Sequence, residues 1–178
     1  MNLAFVFPGQ GSQKTGMLSE MSTVFSSIKT VYDEASSVLD YDLWDIVCNG
    51  PEEKINSTDI TQPIMLAAGV ACWRVWQEQG GSQPAIMAGH SLGEYTALVC
   101  SGALDFIQAI KLVSARGRYM QEAVPPGTGA MAAILGLDDD AVRVVCSESS
   151  SEGIVEAVNF NSPGQVVIAG ETLAVEYA

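Results

Sequence analysis

Apolar and polar residues fall into runs of two periods along this chain. From Met17 onward Leu18, Met21, Val24, Phe25, Ile28, Val31, Tyr32, Ala35, Val38 and Leu39 recur at helical spacing and predict one long amphipathic helix. Before it, Leu3 to Phe7 reads as a buried strand that ends in the turn Pro8-Gly9-Gln10-Gly11-Ser12-Gln13. Asp42 caps a short helix carrying Leu43, Trp44 and Ile46, stopped by Gly50-Pro51. Thr61-Gln62-Pro63 opens another helix, with Thr61 as its cap and the proline in its first turn. Its run from Ile64 to Trp76 is apolar nearly all round, which makes it central and buried. A short apolar run, Ala85 to Ala88, stops at Gly89, and a new helical pattern follows with Tyr95, Leu98 and Val99 until Gly102. Asp105 then caps a long helix through Phe106, Ile107, Ile110, Val113, Gly117, Met120 and Ala123.

Pro125-Pro126-Gly127-Thr128-Gly129 reads as a linker, and the pattern changes after it. Ala130 to Leu135 predicts a strand, Asp138 to Cys146 a helix that frays at Ser149-Ser150-Ser151, and Ile154 to Phe160 a strand. Asn161-Ser162-Pro163-Gly164 turns the chain into strand Gln165 to Ala169, and Glu171-Thr172 starts a helix. The order β-α-β-β-α lacks one strand of a split β-α-β sheet, so the chain is expected to stop within a domain. The expected division is 1–124, a linker at 125–129, and 130–178.

Composition narrows the function. With 48% hydrophobic residues the chain has ample material for a core. The longest apolar run, Pro63 to Trp73, is too short to span a bilayer and Arg74 ends it, so no membrane partner is expected. The N-terminus has no basic region ahead of its few apolar residues, unlike a secretory signal. Cys48, Cys72, Cys100 and Cys146 show no C-x-x-C spacing and read as reduced core thiols of a cytoplasmic protein. A net charge of −13 argues against nucleic acid. With a single histidine, His90, a multi-histidine metal site is excluded.

Chemistry concentrates at Gly89-His90-Ser91-Leu92-Gly93, a match to the G-x-S-x-G nucleophile elbow between a strand and a helix. Glycines at 89 and 93 relieve backbone crowding, and Ser91 is lifted to the tip of the turn beside the first amides of the helix. Those amides favour negative charge, as an oxyanion formed by attack on an ester or thioester carbonyl requires. The turn at Gln10 is either a plain tight turn or a means of bringing backbone amides near a ligand; no Walker A lysine follows. Gln62 is either a satisfied capping group or a site residue. Arg116 falls on the apolar stripe of its helix, where a guanidinium must snorkel, form an internal ion pair or meet a ligand anion.

The motifs Phe7-Pro8-Gly9-Gln10-Gly11-Ser12-Gln13, Thr61-Gln62-Pro63, Gly89-His90-Ser91-Leu92-Gly93-Glu94, Arg116-Gly117-Arg118 and Asn159-Phe160-Asn161-Ser162-Pro163-Gly164-Gln165 occur in this order. Together they resemble the malonyl-CoA:acyl carrier protein transacylases of bacterial type II fatty acid synthesis, and the acyltransferase domains of fatty acid and polyketide synthases. The resemblance implies an α/β fold: an α/β-hydrolase-like large subdomain with an inserted ferredoxin-like small one, incomplete at the C-terminus. It implies Ser91 as the nucleophile, Gln10 and Leu92 as backbone donors of the oxyanion hole, and Arg116 as the partner of the malonyl carboxylate. His90, Gln62, Asn159 and Asn161 would line the site. The substrate would be malonyl-CoA and the acceptor the phosphopantetheine thiol of acyl carrier protein, with no cofactor or metal. The family's general base is a histidine well beyond position 178, so residues 1–178 alone are expected to transfer malonyl poorly. The carrier is itself acidic, and Lys111 and Arg118 are the candidates for meeting it. The rival readings are a polyketide acyltransferase, a thioesterase-like hydrolase on the same elbow, and a non-catalytic carrier-binding module.

Overall fold

The computed structural model describes residues 3–125 and 127–178. They form an α/β structure of two compact units, Met1–Met120 and Gln121–Ala178. Pro126, within the expected linker, lies outside the described residues.

In the first unit, strand β1 (Ala4–Phe7) pairs in parallel with β2 (Ile86–Gly89), Phe7 opposite Gly89. Between them come helices α1 (Ser19–Ser22), α2 (Ser26–Ser36), α3 (Leu43–Asn49), α4 (Glu52–Ile55) and α5 (Thr58–Glu78). After β2 follow α6 (Leu92–Cys100) and α7 (Phe106–Glu122). The central element is α5, as its all-round apolar run requires: Ile64, Leu66, Ala67 and Ala71 are fully shielded from solvent. Helix α2 packs on it through Ile28, Val31, Tyr32 and Ala35. A bidentate pair from Arg74 on α5 to Glu34 on α2, at 2.7 and 2.8 Å, adds a directional tie. Asp42 and Asp105 cap α3 and α7 as expected, accepting from the Asp45 and Gln108 amides, both at 2.9 Å.

Four expectations are corrected. The predicted long helix over Met17–Leu39 is broken into α1 and α2. Leu18 has a left-handed backbone, Phe25 is extended, and the Ser22 and Thr23 hydroxyls fold back onto the carbonyls of Ser19 and Glu20. Such local side-chain bonds compete with helix continuation, and β-branched Thr23-Val24 adds to the effect. Helix α5 starts four residues earlier than its Thr-Gln-Pro signal suggests, with Ser57 rather than Thr61 at the cap position. Thr61 is already helical and buried, its hydroxyl bonded to the Ile55 and Ser57 carbonyls, and Pro63 lies beyond the first turn. β1 is not a buried strand: Phe7 is inside but Val6 is 76% exposed, because among the described residues β1 and β2 form a sheet of two. Of the four cysteines only Cys100 and Cys146 are buried; Cys48 is half-buried and Cys72 exposed, and all are free thiols.

The second unit contains β3 (Gly129–Leu135), α8 (Asp139–Glu148), β4 (Val155–Ser162), β5 (Gln165–Glu171) and α9 (Thr172–Tyr177). The strands form an antiparallel sheet in the order β3-β5-β4. Its core is Val142, Cys146, Val155, Val166, Ile168, Ala174 and Val175, with Asp138 capping α8 through the Ala141 amide at 2.8 Å. Strand β4 runs on through Asn161-Ser162, so the turn narrows to Pro163-Gly164. Among the described residues no helix is long and apolar enough to cross a membrane.

Candidate active site

At the elbow the chain leaves β2 at Gly89 and enters α6 at Leu92 within two residues. A bend this tight forces Ser91 to φ 52°, ψ −108°, a conformation rare for a residue with a side chain. It also brings backbones into contact. A Cβ on Gly89 would lie 2.0 Å from the Gly93 carbonyl, and one on Gly93 would lie 2.2 Å from the Phe7 oxygen. Only glycine fits at either position, so α6 sits directly on the end of β1. Ser91 is left exposed at the tip. The amide of Leu92, first residue of α6, has no acceptor within the helix.

Helix α7 supplies the cation. Arg116 is half-buried, and its Nη2 donates to Ser91 Oγ at 3.0 Å while Nη1 donates to Gln62 Oε1 at 2.9 Å. The guanidinium carbon lies 5.7 Å from the ring centroid of Tyr95, one turn along α6 from Ser91. Gln62 is fully buried near the start of α5; its Nε2 donates to Met120 Sδ at 3.2 Å, so both ends of the amide face α7. Gly117 permits this closeness. A Cβ there would fall 2.6 Å from Asp59 Cα and 2.7 Å from the Thr58 oxygen. Arg116 thus reaches inward to Ser91 and Gln62, and among the described residues it has no carboxylate partner.

Of the remaining candidates, Gln10 lies in the turn after β1 and its Nε2 donates to Thr58 Oγ1 at 3.2 Å. The neighbouring Gly9 runs against the elbow, close enough that a Cβ on it would be 2.9 Å from the His90 oxygen. His90 itself is exposed. Asn159, half-buried, and Asn161, exposed, stand on β4 in the second unit, where the pairing with β5 is irregular. Sequence reading passed over Tyr95, Thr58 and Met120. Tyr95 was detectable four residues after Ser91, on the same helical face; the other two act only through tertiary contacts. Among the described residues no group of three or more His, Cys, Asp or Glu is placed to hold a metal. A cavity of about 740 Å³ along β2 and α6, touching Met87, Gly89, Tyr95 and Leu98, includes neither Ser91 nor Arg116.

A serine on a strained strand-to-helix turn thus stands at a helix start beside a guanidinium. Residues 4–178 match the acyl transferase domain model, and the chain belongs to that family. Within it, the chain is 58% identical over 175 residues to the malonyl CoA-acyl carrier protein transacylase of Salmonella typhimurium, covering 98% of this chain and 57% of the relative. It is 44% identical over 177 residues to the Bacillus subtilis protein of that name, covering 99% of this chain and 56% of the relative. Among solved structures it superposes with a TM-score of 0.94 on an acyl carrier protein S-malonyltransferase from Vibrio cholerae, at 58% identity over 99% of this chain and 58% of that one. A malonyl-transacylase in complex with a type II polyketide acyl-carrier protein superposes with a TM-score of 0.96, at 60% identity over 99% of this chain and 57% of that one. The chain therefore spans a little over half the length of the relatives it matches.

Proposed function

We propose that the protein transfers the malonyl group of malonyl-CoA to the phosphopantetheine thiol of acyl carrier protein, supplying extender units for fatty acid biosynthesis in the cytoplasm. Ser91 Oγ attacks the thioester carbonyl, an O–C bond forms, the C–S bond breaks, and the hydroxyl proton goes to the departing thiol by way of a base. The carrier thiol then attacks the malonyl ester, and the serine recovers its proton. The backbone amides of Gln10 and Leu92 stabilise the oxyanion in both steps; losing one such donor costs about 2.7–4 kcal/mol of barrier. Arg116 binds the free carboxylate of the malonyl group, and His90 lines the site. We assign the general base to a residue outside these 178, since His90 belongs to the elbow turn. No cofactor enters the reaction.

The single observation that carries this reading is the 3.0 Å approach of the Arg116 guanidinium to Ser91 Oγ. A thioesterase acting on an apolar acyl chain gains nothing from a cation there, whereas an acyl group ending in a carboxylate does. The ferredoxin-like description of residues 130–178 finds support in the β3-β5-β4 order, and the hydrolase-like description of 1–124 in the parallel β1–β2 pair joined through helices. Lys111 and Arg118 are exposed on α7 and are the contacts we assign to the acidic carrier. A polyketide carrier would be served by the same chemistry. Labelling the complete protein with radioactive malonyl-CoA tests the proposal. The expected result is label on Ser91 that passes to carrier thiol faster than to water and is abolished by Ser91→Ala. Label that drains to water at the same rate with and without carrier would replace the transferase with a hydrolase.

A further inference from the structure

Gln62 has no part in bond making, yet it is a fully buried amide that faces Arg116. Only the carbonyl end of an amide can accept from a guanidinium, so its orientation is determined: Oε1 on Arg116 Nη1, Nε2 on Met120 Sδ. Arg116 and Met120 are one helical turn apart on α7, and Gln62 bridges them from α5. With Nη1 held at 2.9 Å and the Tyr95 ring centroid 5.7 Å from the guanidinium carbon, the fork is restrained from two directions, and the Nη2 edge is presented at Ser91 Oγ.

We propose that Gln62 is a positioning residue for acyl selection: it holds one edge of the Arg116 guanidinium so that the other edge waits beside Ser91 for an acyl group bearing a carboxylate. The inference rests on the assignment of Arg116 to the malonyl carboxylate. A neutral acceptor is the group suited to this position. It orients the guanidinium without neutralising it, and so leaves the positive charge for the substrate. A carboxylate in its place would satisfy the fork in advance.

The test measures kcat/KM for malonyl-CoA and acetyl-CoA in the complete protein with Gln62→Ala and Gln62→Glu. With Gln62→Ala the malonyl-to-acetyl ratio should fall at least tenfold, through a rise in the malonyl KM. Gln62→Glu keeps the shape and should lower the ratio similarly, because the new carboxylate competes with that of the substrate. Gln62→Glu also decides the matter if the alanine variant does not fold. An unchanged ratio, or malonyl and acetyl kcat falling together, overturns the proposal and leaves Gln62 a structural residue. Arg116→Ala run alongside separates the two levels. If it preserves the ratio, the assignment of Arg116 fails and the role of Gln62 with it. If it collapses the ratio while both Gln62 variants keep it, only the role of Gln62 is lost.

Discussion

Gly117→Ala should damage acyl selection more than stability. A Cβ at 117 would lie 2.6 Å from Asp59 Cα and 2.7 Å from the Thr58 oxygen, both backbone atoms at the start of α5. Ordinary contact begins at 3.4 Å, so α7 must move away from α5 by roughly 0.8 Å at this point. Arg116 is the adjacent residue, and its hydrogen bonds to Gln62 and Ser91, at 2.9 and 3.0 Å, do not survive such a shift intact. A misplacement of about 1 Å at a reacting centre can cost about 10²-fold. The stability terms oppose each other. Overpacking costs about 1–3 kcal/mol, while replacing a mid-helix glycine by alanine returns about 1 kcal/mol. The net loss is then about 0–2 kcal/mol, small beside a ten- to hundredfold fall in the malonyl-to-acetyl ratio. Urea unfolding followed by circular dichroism reads the first quantity, and initial rates of acyl transfer in the complete protein read the second. A variant with the parental ratio and an unfolding free energy about 1 kcal/mol higher would refute the reasoning, since propensity alone would then account for it.

Two further outcomes are expected. Ser91→Gly should be more stable than Ser91→Ala by about 1 kcal/mol, because the backbone at φ 52° strains any residue with a Cβ; both lose acyl labelling, and equal melting temperatures would show that no strain is stored there. The Cys100 thiol is pushed up to about 12, chiefly by burial, then by Cys72, against the lowering effect of Arg74. An unfolded thiol titrates at about 8.5, so above that pH the unfolded chain releases a proton the folded chain keeps. Its contribution is intact below about pH 8.5 and declines as pH rises toward 12. The urea midpoint should therefore fall more steeply between these limits in the parent than in Cys100→Ala; parallel slopes would remove the thiol from the account.

The elbow was legible because everything that defines it is local. Two glycines, a serine, a preceding apolar run and a following helical period lie within a dozen residues, and the backbone must bend there whatever else happens. The buried character of α5 and the Asp42, Asp105 and Asp138 caps were legible for the same reason. The break between α1 and α2 was not, because Ser22 and Thr23 can continue a helix or end it by bonding their own carbonyls, and periodicity does not register which they choose. Nor was the exposure of β1, since an apolar strand reads alike whether one face or both are covered.

Arg116 shows the division most clearly. Helical spacing alone put a guanidinium on an apolar stripe and left three outcomes open: snorkelling, an internal ion pair or a ligand anion. What placed the guanidinium against Ser91 and Gln62 was the approach of α5, α6 and α7, made possible by the missing side chain of Gly117. That contact sets Gln62, Tyr95 and Ser91 around one cation from positions far apart in the chain. Local chemistry determined the turn that carries Ser91. Packing between helices distant in sequence decided what faces it, because the energy of that arrangement resides in contacts no single segment contains.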